Sequence, residues 1–112
     1  MKSETLNSAL HTLNKTQSLT LLNQQLSQCM SIGDALILIE DGVYQCMTLT
    51  SPSNTLTQDH WSHKASDIYV LADDAQARGI PIASIRHAKV AFISYPEFVS
   101  LTLKHSKVVS WY

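Results

Sequence analysis

Positive charge is what this sequence most conspicuously lacks. Its 8 Lys and Arg residues are outnumbered by 9 Asp and Glu, and a formal net charge of -1 supplies no long-range field of the kind that draws proteins onto nucleic acid. Direct RNA or DNA binding is therefore not expected. Long apolar runs are absent too: none approaches the ~20 residues needed to span a bilayer. The residues Met1 to Thr5 lack the apolar core of a secretory signal, so the expected location is the cytoplasm. Cysteine is limited to Cys29 and Cys46, and in a reducing compartment both are expected as free thiols. With 3 glycines in the whole chain there is no Gly-rich phosphate loop, and no nucleophile elbow or Ser, His and Asp arrangement stands out. No internal repeat or low-complexity segment is visible.

What is present is organised around Gly33 to Gly42, where the apolar run Ala35-Leu36-Ile37-Leu38-Ile39 is bounded by a glycine and an acid on each side. The run does not alternate, so both faces of the strand must be covered, as in a parallel sheet. It is also too short for a buried helix. Helices must then lie above and below it, which predicts a three-layer α/β/α sandwich with a five-stranded, mainly parallel sheet. At 112 residues the chain holds one domain, over 9–112, after a loose tail over 1–8, and has little room for a ligand cleft of its own. A partner is expected.

Taken in order, Ala9 to Leu13 reads as the first strand, and Leu19, Leu22, Leu26, Cys29 and Met30 follow helical spacing over Gln17 to Met30. Gly33 suits a left-handed position at the end of that helix. The central strand is followed by Val43 to Met47, a short helical turn, and then a polar stretch from Thr48 to Asp67 with turn chemistry at Ser51-Pro52-Ser53-Asn54. Ile68 to Ala72 is the third strand. Asp73 and Asp74 fit the first turn of a short helix that Gly79 ends, and Pro81 breaks the chain. Val90 to Ile93 is the fourth strand, Ser94 and Glu97 have capping-box spacing for a helix running to His105, and Val108 to Trp111 closes the chain as an edge strand.

Several of these pieces, in this order, resemble the TusB family of bacterial sulfur-relay subunits and their DsrH relatives in sulfur-oxidising bacteria. Leu10-His11-Thr12-Leu13-Asn14-Lys15 is similar to the family's opening strand, and Gly33-Asp34 through Asp41-Gly42-Val43 to its second strand and turn. Tyr69-Val70-Leu71 through Ala77-Arg78-Gly79 resembles the third unit, and Tyr95 with Phe98 to His105 the last helix. The chain departs from the pattern in the residues before Leu10 and in the polar insertion between Thr48 and Asp67. The resemblance implies a subunit without a catalytic residue or cofactor of its own. It would assemble with TusC-like and TusD-like (or DsrF-like and DsrE-like) subunits into a heterohexamer. That complex passes persulfide sulfur, through a downstream carrier, toward 2-thiouridine at the tRNA wobble position. In the TusD-type partner the sulfur-carrying cysteine lies at the carboxyl end of the third strand, where this chain reads Tyr69-Val70-Leu71-Ala72-Asp73-Asp74 and has no thiol. The alternatives are a DsrH-type subunit in sulfur oxidation, a stand-alone homo-oligomeric binding module, and an enzyme using a thiol of this chain.

A thiol that carries sulfur must be exposed and easily deprotonated. Cys46 is the candidate by position, just beyond a central strand and in the first turn of a helix, although its apolar neighbours favour a structural role. Cys29, on the apolar face with Leu26 and Met30, is expected in the core. His60, His63 and Asp59 lack the further ligands a metal site needs and read as a solvated loop. His11 reads as a hydrogen-bonded core histidine. The Asp73-Asp74 pair is no phospho-acceptor, because Asn14-Lys15 stands where a receiver domain requires acids. Val108, Val109, Trp111 and Tyr112 present more apolar surface than an edge strand normally leaves bare; they are the interface candidates, the equal alternative being that the tail folds back over its own helix.

Overall fold

The computed structural model describes residues 8–14, 26, 28–50, 65–85 and 89–111. The residues 1–7, most of the helix expected over Gln17 to Met30, the heart of the polar insertion including Asp59, His60 and His63, the residues 86–88, and Tyr112 lie outside that set. Five parallel strands form one sheet: β1 (Ala9–Leu13), β2 (Ala35–Leu38), β3 (Asp67–Leu71), β4 (Val90–Ile93) and β5 (Lys107–Trp111). Their order across the sheet is β4-β3-β2-β1-β5. Successive strands therefore step in one direction from β1 to β4, and the chain then crosses the whole sheet to lay β5 beside β1.

The unbroken apolar run of β2 has the expected cause. Leu36 and Leu38 pack on one face with Leu13, Ile68 and Val70, against Leu26, Met30, Val43 and Cys46. Ala35 and Ile37 pack on the other with Leu10 and Ile93, against Leu101 and the half-buried Phe98. The sheet is thus the middle of three layers. The second face is covered by α2 (Tyr95–Lys104), which starts where the sequence places it: Ser94 Oγ accepts from Glu97 N–H at 3.3 Å, and Glu97 Oε1 accepts from Ser94 N–H at 2.8 Å. The first face is covered in part by α1 (Ala72–Ala77), which opens one residue after β3 with Asp73 and Asp74 in its first turn.

After β2 the expected short turn is an eleven-residue 3-10 helix, Glu40–Thr50, far longer than the usual three or four residues. Its amino end is pressed against the carboxyl end of β1. Gly42 is needed there for space: a Cβ on it would overlap the Leu13 carbonyl and lie 3.3 Å from Asn14 Cα. Both obstacles are backbone, so no side chain can swing aside. Among the described residues no helix is long and apolar enough to cross a membrane. Gly42→Ala is expected to destabilise the fold by about 1–3 kcal/mol through overpacking, read as a lowered urea midpoint; a midpoint equal to wild type would show that the two segments separate without cost.

Candidate functional site

The carboxyl ends of parallel strands are where α/β proteins usually bind ligands. Here that region holds a pocket of about 320 Å³ lined by Ile39, Glu40, Leu71, Asp74, Tyr95 and Phe98. Glu40 adopts φ +50, a left-handed conformation uncommon for a residue with a side chain. The conformation aims its N–H at Asp74 Oδ2, 2.6 Å away, while Arg78 Nε donates to Asp41 Oδ1 at 2.9 Å and its guanidinium also reaches the Asp74 carbonyl at 3.2 Å. These contacts fasten the start of the 3-10 helix to α1. No thiol or histidine lines the pocket among the described residues, and β3 ends at Leu71.

Of the two cysteines, Cys46 has the buried, structural surroundings that its apolar neighbours favour, and Cys29 does not have those expected for it. Cys46 is the seventh residue of the 3-10 helix rather than part of its first turn, and it is fully buried. Burial pushes its thiol up to about 11, so it is protonated at neutral pH and has none of the thiolate character that sulfur transfer requires. Cys29 was expected in the core and is exposed. Leu26 and Met30, four residues apart, take the buried side of the helix end, and Cys29 beside them is left exposed.

Cys29 instead borders a second, open cleft of about 590 Å³ on the same face, beside β5, whose walls include Ala9, Ile32, Lys107, Val109 and Trp111. Its floor is a polar network that the sequence only half announced. Ser31 to Asp34 form a turn closed by Asp34 N–H donating to the Ser31 carbonyl at 3.0 Å, with Gly33 at φ +98 in the position that favours glycine. The turn returns the Asp34 carboxylate into the protein, where it accepts from Ser31 N–H, Ala9 N–H and His11 Nε2, each at 3.0 Å. On the other side of the imidazole, Trp111 Nε1–H donates to His11 Nδ1 at 3.0 Å. A nitrogen that accepts from an indole carries no proton, so His11 is held as the Nε2–H tautomer and both of its nitrogens are satisfied.

Burial would raise the Asp34 carboxyl, but the donors from Ala9, His11 and Ser31 outweigh it and hold the group below the ordinary carboxylate range. The arrangement is a structural clamp. It lacks an exposed nucleophile within the hydrogen-bonded set, and its histidine has no free nitrogen with which to take a proton. Among the described residues no cluster of His, Cys, Asp or Glu is built to hold a metal. Of the interface candidates, Val108 is exposed, whereas Val109 and Trp111 are half-buried and face the cleft. Asp34 escaped sequence reasoning as anything but a turn residue. The signal available for it was a histidine inside a buried strand, which requires a buried partner.

A family model described as "DsrH like protein" matches residues 1–108. The chain belongs to the DsrH-like family. Among curated proteins it is similar to Protein TusB of Shigella dysenteriae serotype 1, at 34% identity over 102 residues that cover 91% of this chain and 99% of that protein. Protein TusB of Pectobacterium parmentieri is 35% identical over 79 residues, 70% of this chain and 76% of that one. Protein TusB of Escherichia coli O6:K15:H31 is 33% identical over 102 residues, again 91% and 99%. Membership of the DsrH-like family accords with the resemblance carried by the strand and turn residues, and the matched region includes β1 to β4, α2 and the clamp residues Ala9, His11, Ser31 and Asp34, while Trp111 lies beyond it.

Two measurements test this description of the site. Alkylation of the folded protein at neutral pH is expected to modify one thiol, Cys29, and alkylation in denaturant to modify both; rapid labelling of Cys46 in the folded state would contradict its burial. Stability is expected to fall with acid in two stages. Desolvation lowers the proton affinity of His105, whose Nδ1 lies 2.9 Å from Ser8 Oγ, so the unfolded chain binds its proton more readily and stability declines as the pH drops below 6.5. Asp34 is likewise lowered, so its contribution is complete above 3.8 and is lost below that value. Asp34→Asn, which sets amide donors against donors, is expected to lower stability by about 3 kcal/mol and to remove the second stage. Urea midpoints across pH would show both; a midpoint flat from neutrality into acid would overturn the assignment.

Proposed function

We propose that this chain is a non-catalytic subunit of a cytoplasmic sulfur-relay complex, with residues 9–112 as its relay-fold domain. It works with TusC-like and TusD-like subunits to pass persulfide sulfur toward 2-thiolation of the tRNA wobble uridine. The observation that carries the reading is the family match over residues 1–108 together with TusB relatives aligned along 91% of the chain. Two features of the chain support the non-catalytic part. At the carboxyl end of β3, where a TusD-type subunit carries its sulfur, this chain has Leu71 followed by Ala72 of α1, and Cys46 is buried and protonated. The tRNA is reached through the complex, since the chain's net charge of -1 gives it no polyanion-binding field.

A DsrH-type role in sulfur oxidation is the second reading. It is favoured by the exposed thiol of Cys29, a free cysteine open to the cleft. Purification of the chain from its own host under gentle conditions, with native mass and every co-purifying polypeptide identified, tests the first reading. The expected result is stoichiometric association with two small α/β chains, one bearing a cysteine at the end of its third strand. A chain that co-purifies with nothing but itself would overturn it, and loss of persulfide transfer in Cys29→Ser would move the assignment to the second.

A further inference from the structure

The outer edge of β5 is open. Among the described residues β5 pairs with β1 alone, in a one-to-one register without a bulge, and it contains no proline. Edge strands that avoid association normally carry such interruptions. Which main-chain groups face outward follows from the hydrogen bonding of β1. The Leu13 carbonyl accepts from Ile39 N–H on the β2 side, so Ala9, His11 and Leu13 direct their main-chain groups toward β2, and Leu10 and Thr12 direct theirs toward β5. In the observed register these meet Lys107, Val109 and Trp111. The N–H and C=O groups of Val108 and Ser110 therefore point away from the sheet. Their side chains lie on the α2 face, Val108 with 43% of its surface exposed, while Lys107, Val109 and Trp111 line the cleft.

We propose that this edge is occupied by β5 of a second copy of the chain, antiparallel to the first on a two-fold axis through Val109. The strand is complementary to itself in that register and in no neighbouring one. Val108 and Ser110 face Ser110 and Val108 of the second copy, and each of these pairs exchanges both N–H···O bonds, so every outward group of the two residues is used. Val109 meets its own counterpart in a pair without hydrogen bonds, the kind in which side chains approach closest. Lys107 lies opposite Trp111 of the second copy, and Trp111 opposite the second Lys107, which sets an ammonium against an indole twice by symmetry. The charge that would repel a partner strand is placed where an aromatic ring receives it. Moving the axis to Val108 or to Ser110 halves the hydrogen bonds among these residues and separates Lys107 from Trp111. The two clefts are then continuous across the axis. The inference concerns the isolated chain and does not rest on the sulfur-relay reading.

Sedimentation equilibrium of the purified full-length chain over a wide concentration range tests it. The expected result is a monomer–dimer equilibrium that Val108→Pro weakens at least tenfold, because proline removes an outward N–H that no strand pairing among the described residues uses. Val108→Ala, which keeps that N–H, serves as the control and retains the dimer. If Val108→Pro lowers the thermal midpoint as well, the exposed Lys107→Ala carries the test, with a roughly tenfold weakening from the paired cation–π contacts. A monomer at every concentration, or a dimer indifferent to both Val108→Pro and Lys107→Ala, overturns the proposal. So does a different polypeptide held on the chain in a manner that Val108→Pro abolishes, since the edge would then belong to that partner.

Discussion

A single buried carboxylate holds the amino end of the sheet together. Asp34 gathers the start of β1 through Ala9 N–H, the turn before β2 through Ser31 N–H, and β5 through the chain from His11 to Trp111. A carboxylate taken out of water is tolerated only when donors replace its hydration, and three donors at 3.0 Å do so here. Apolar packing alone would not specify this junction. The clamp fixes which end of β5 lies beside which end of β1, and it does so with directional bonds that a slipped register would break. The return of β5 across the whole sheet, the longest-range feature of the fold, ends on that network.

The opposite end of the sheet is held by close backbone approach and surface polar contacts. Gly42 lets the 3-10 helix touch the Leu13 carbonyl, Glu40 takes a left-handed conformation to reach Asp74, and Arg78 bridges to Asp41. In many parallel-sheet proteins this end carries the chemistry. Here it is occupied by structure: the thiol nearest to it is buried, and the strand end that a sulfur-carrying subunit would use is apolar. That arrangement is in keeping with the assembly role proposed for the chain. The polar clamp and the open cleft at the other end then have a common consequence. They present β5, with Lys107, Val109 and Trp111 in fixed alternation, as the part of the molecule best formed to meet another chain.

The strand segments and the nature of the layers were legible in the residues because they depend on local pattern. The uninterrupted run from Ala35 to Ile39 reports burial on both faces, Ser94 with Glu97 reports a helix start, and the ends of β1 and β4 fall where turn and capping residues begin. Each of these signals acts within a few residues of its cause. The exposure of Cys29 was misjudged for the complementary reason, whereas the burial of Cys46 agrees with its apolar neighbours. Helical spacing correctly groups Leu26 with Met30, but it does not say which residues beside that stripe another element covers, and Cys29 is left open to the cleft. Cys46 falls outside the first turn because the 3-10 helix starts at Glu40 rather than at Val43.

By itself the sequence determined a parallel sheet covered on both sides, free cysteines, a chain without a polyanion-binding charge, and its family. These follow from composition and short-range periodicity, which persist whatever the long-range arrangement. Only the tertiary structure decided that β5 sits beside β1, that Asp34, His11 and Trp111 share one network, that Cys46 is sealed while Cys29 is open, and that Val108 and Ser110 direct their main-chain groups outward. Those outcomes join residues as far apart as 100 positions along the chain. They depend on strand order and register, which are selected by the sum of many weak contacts rather than by any one residue type.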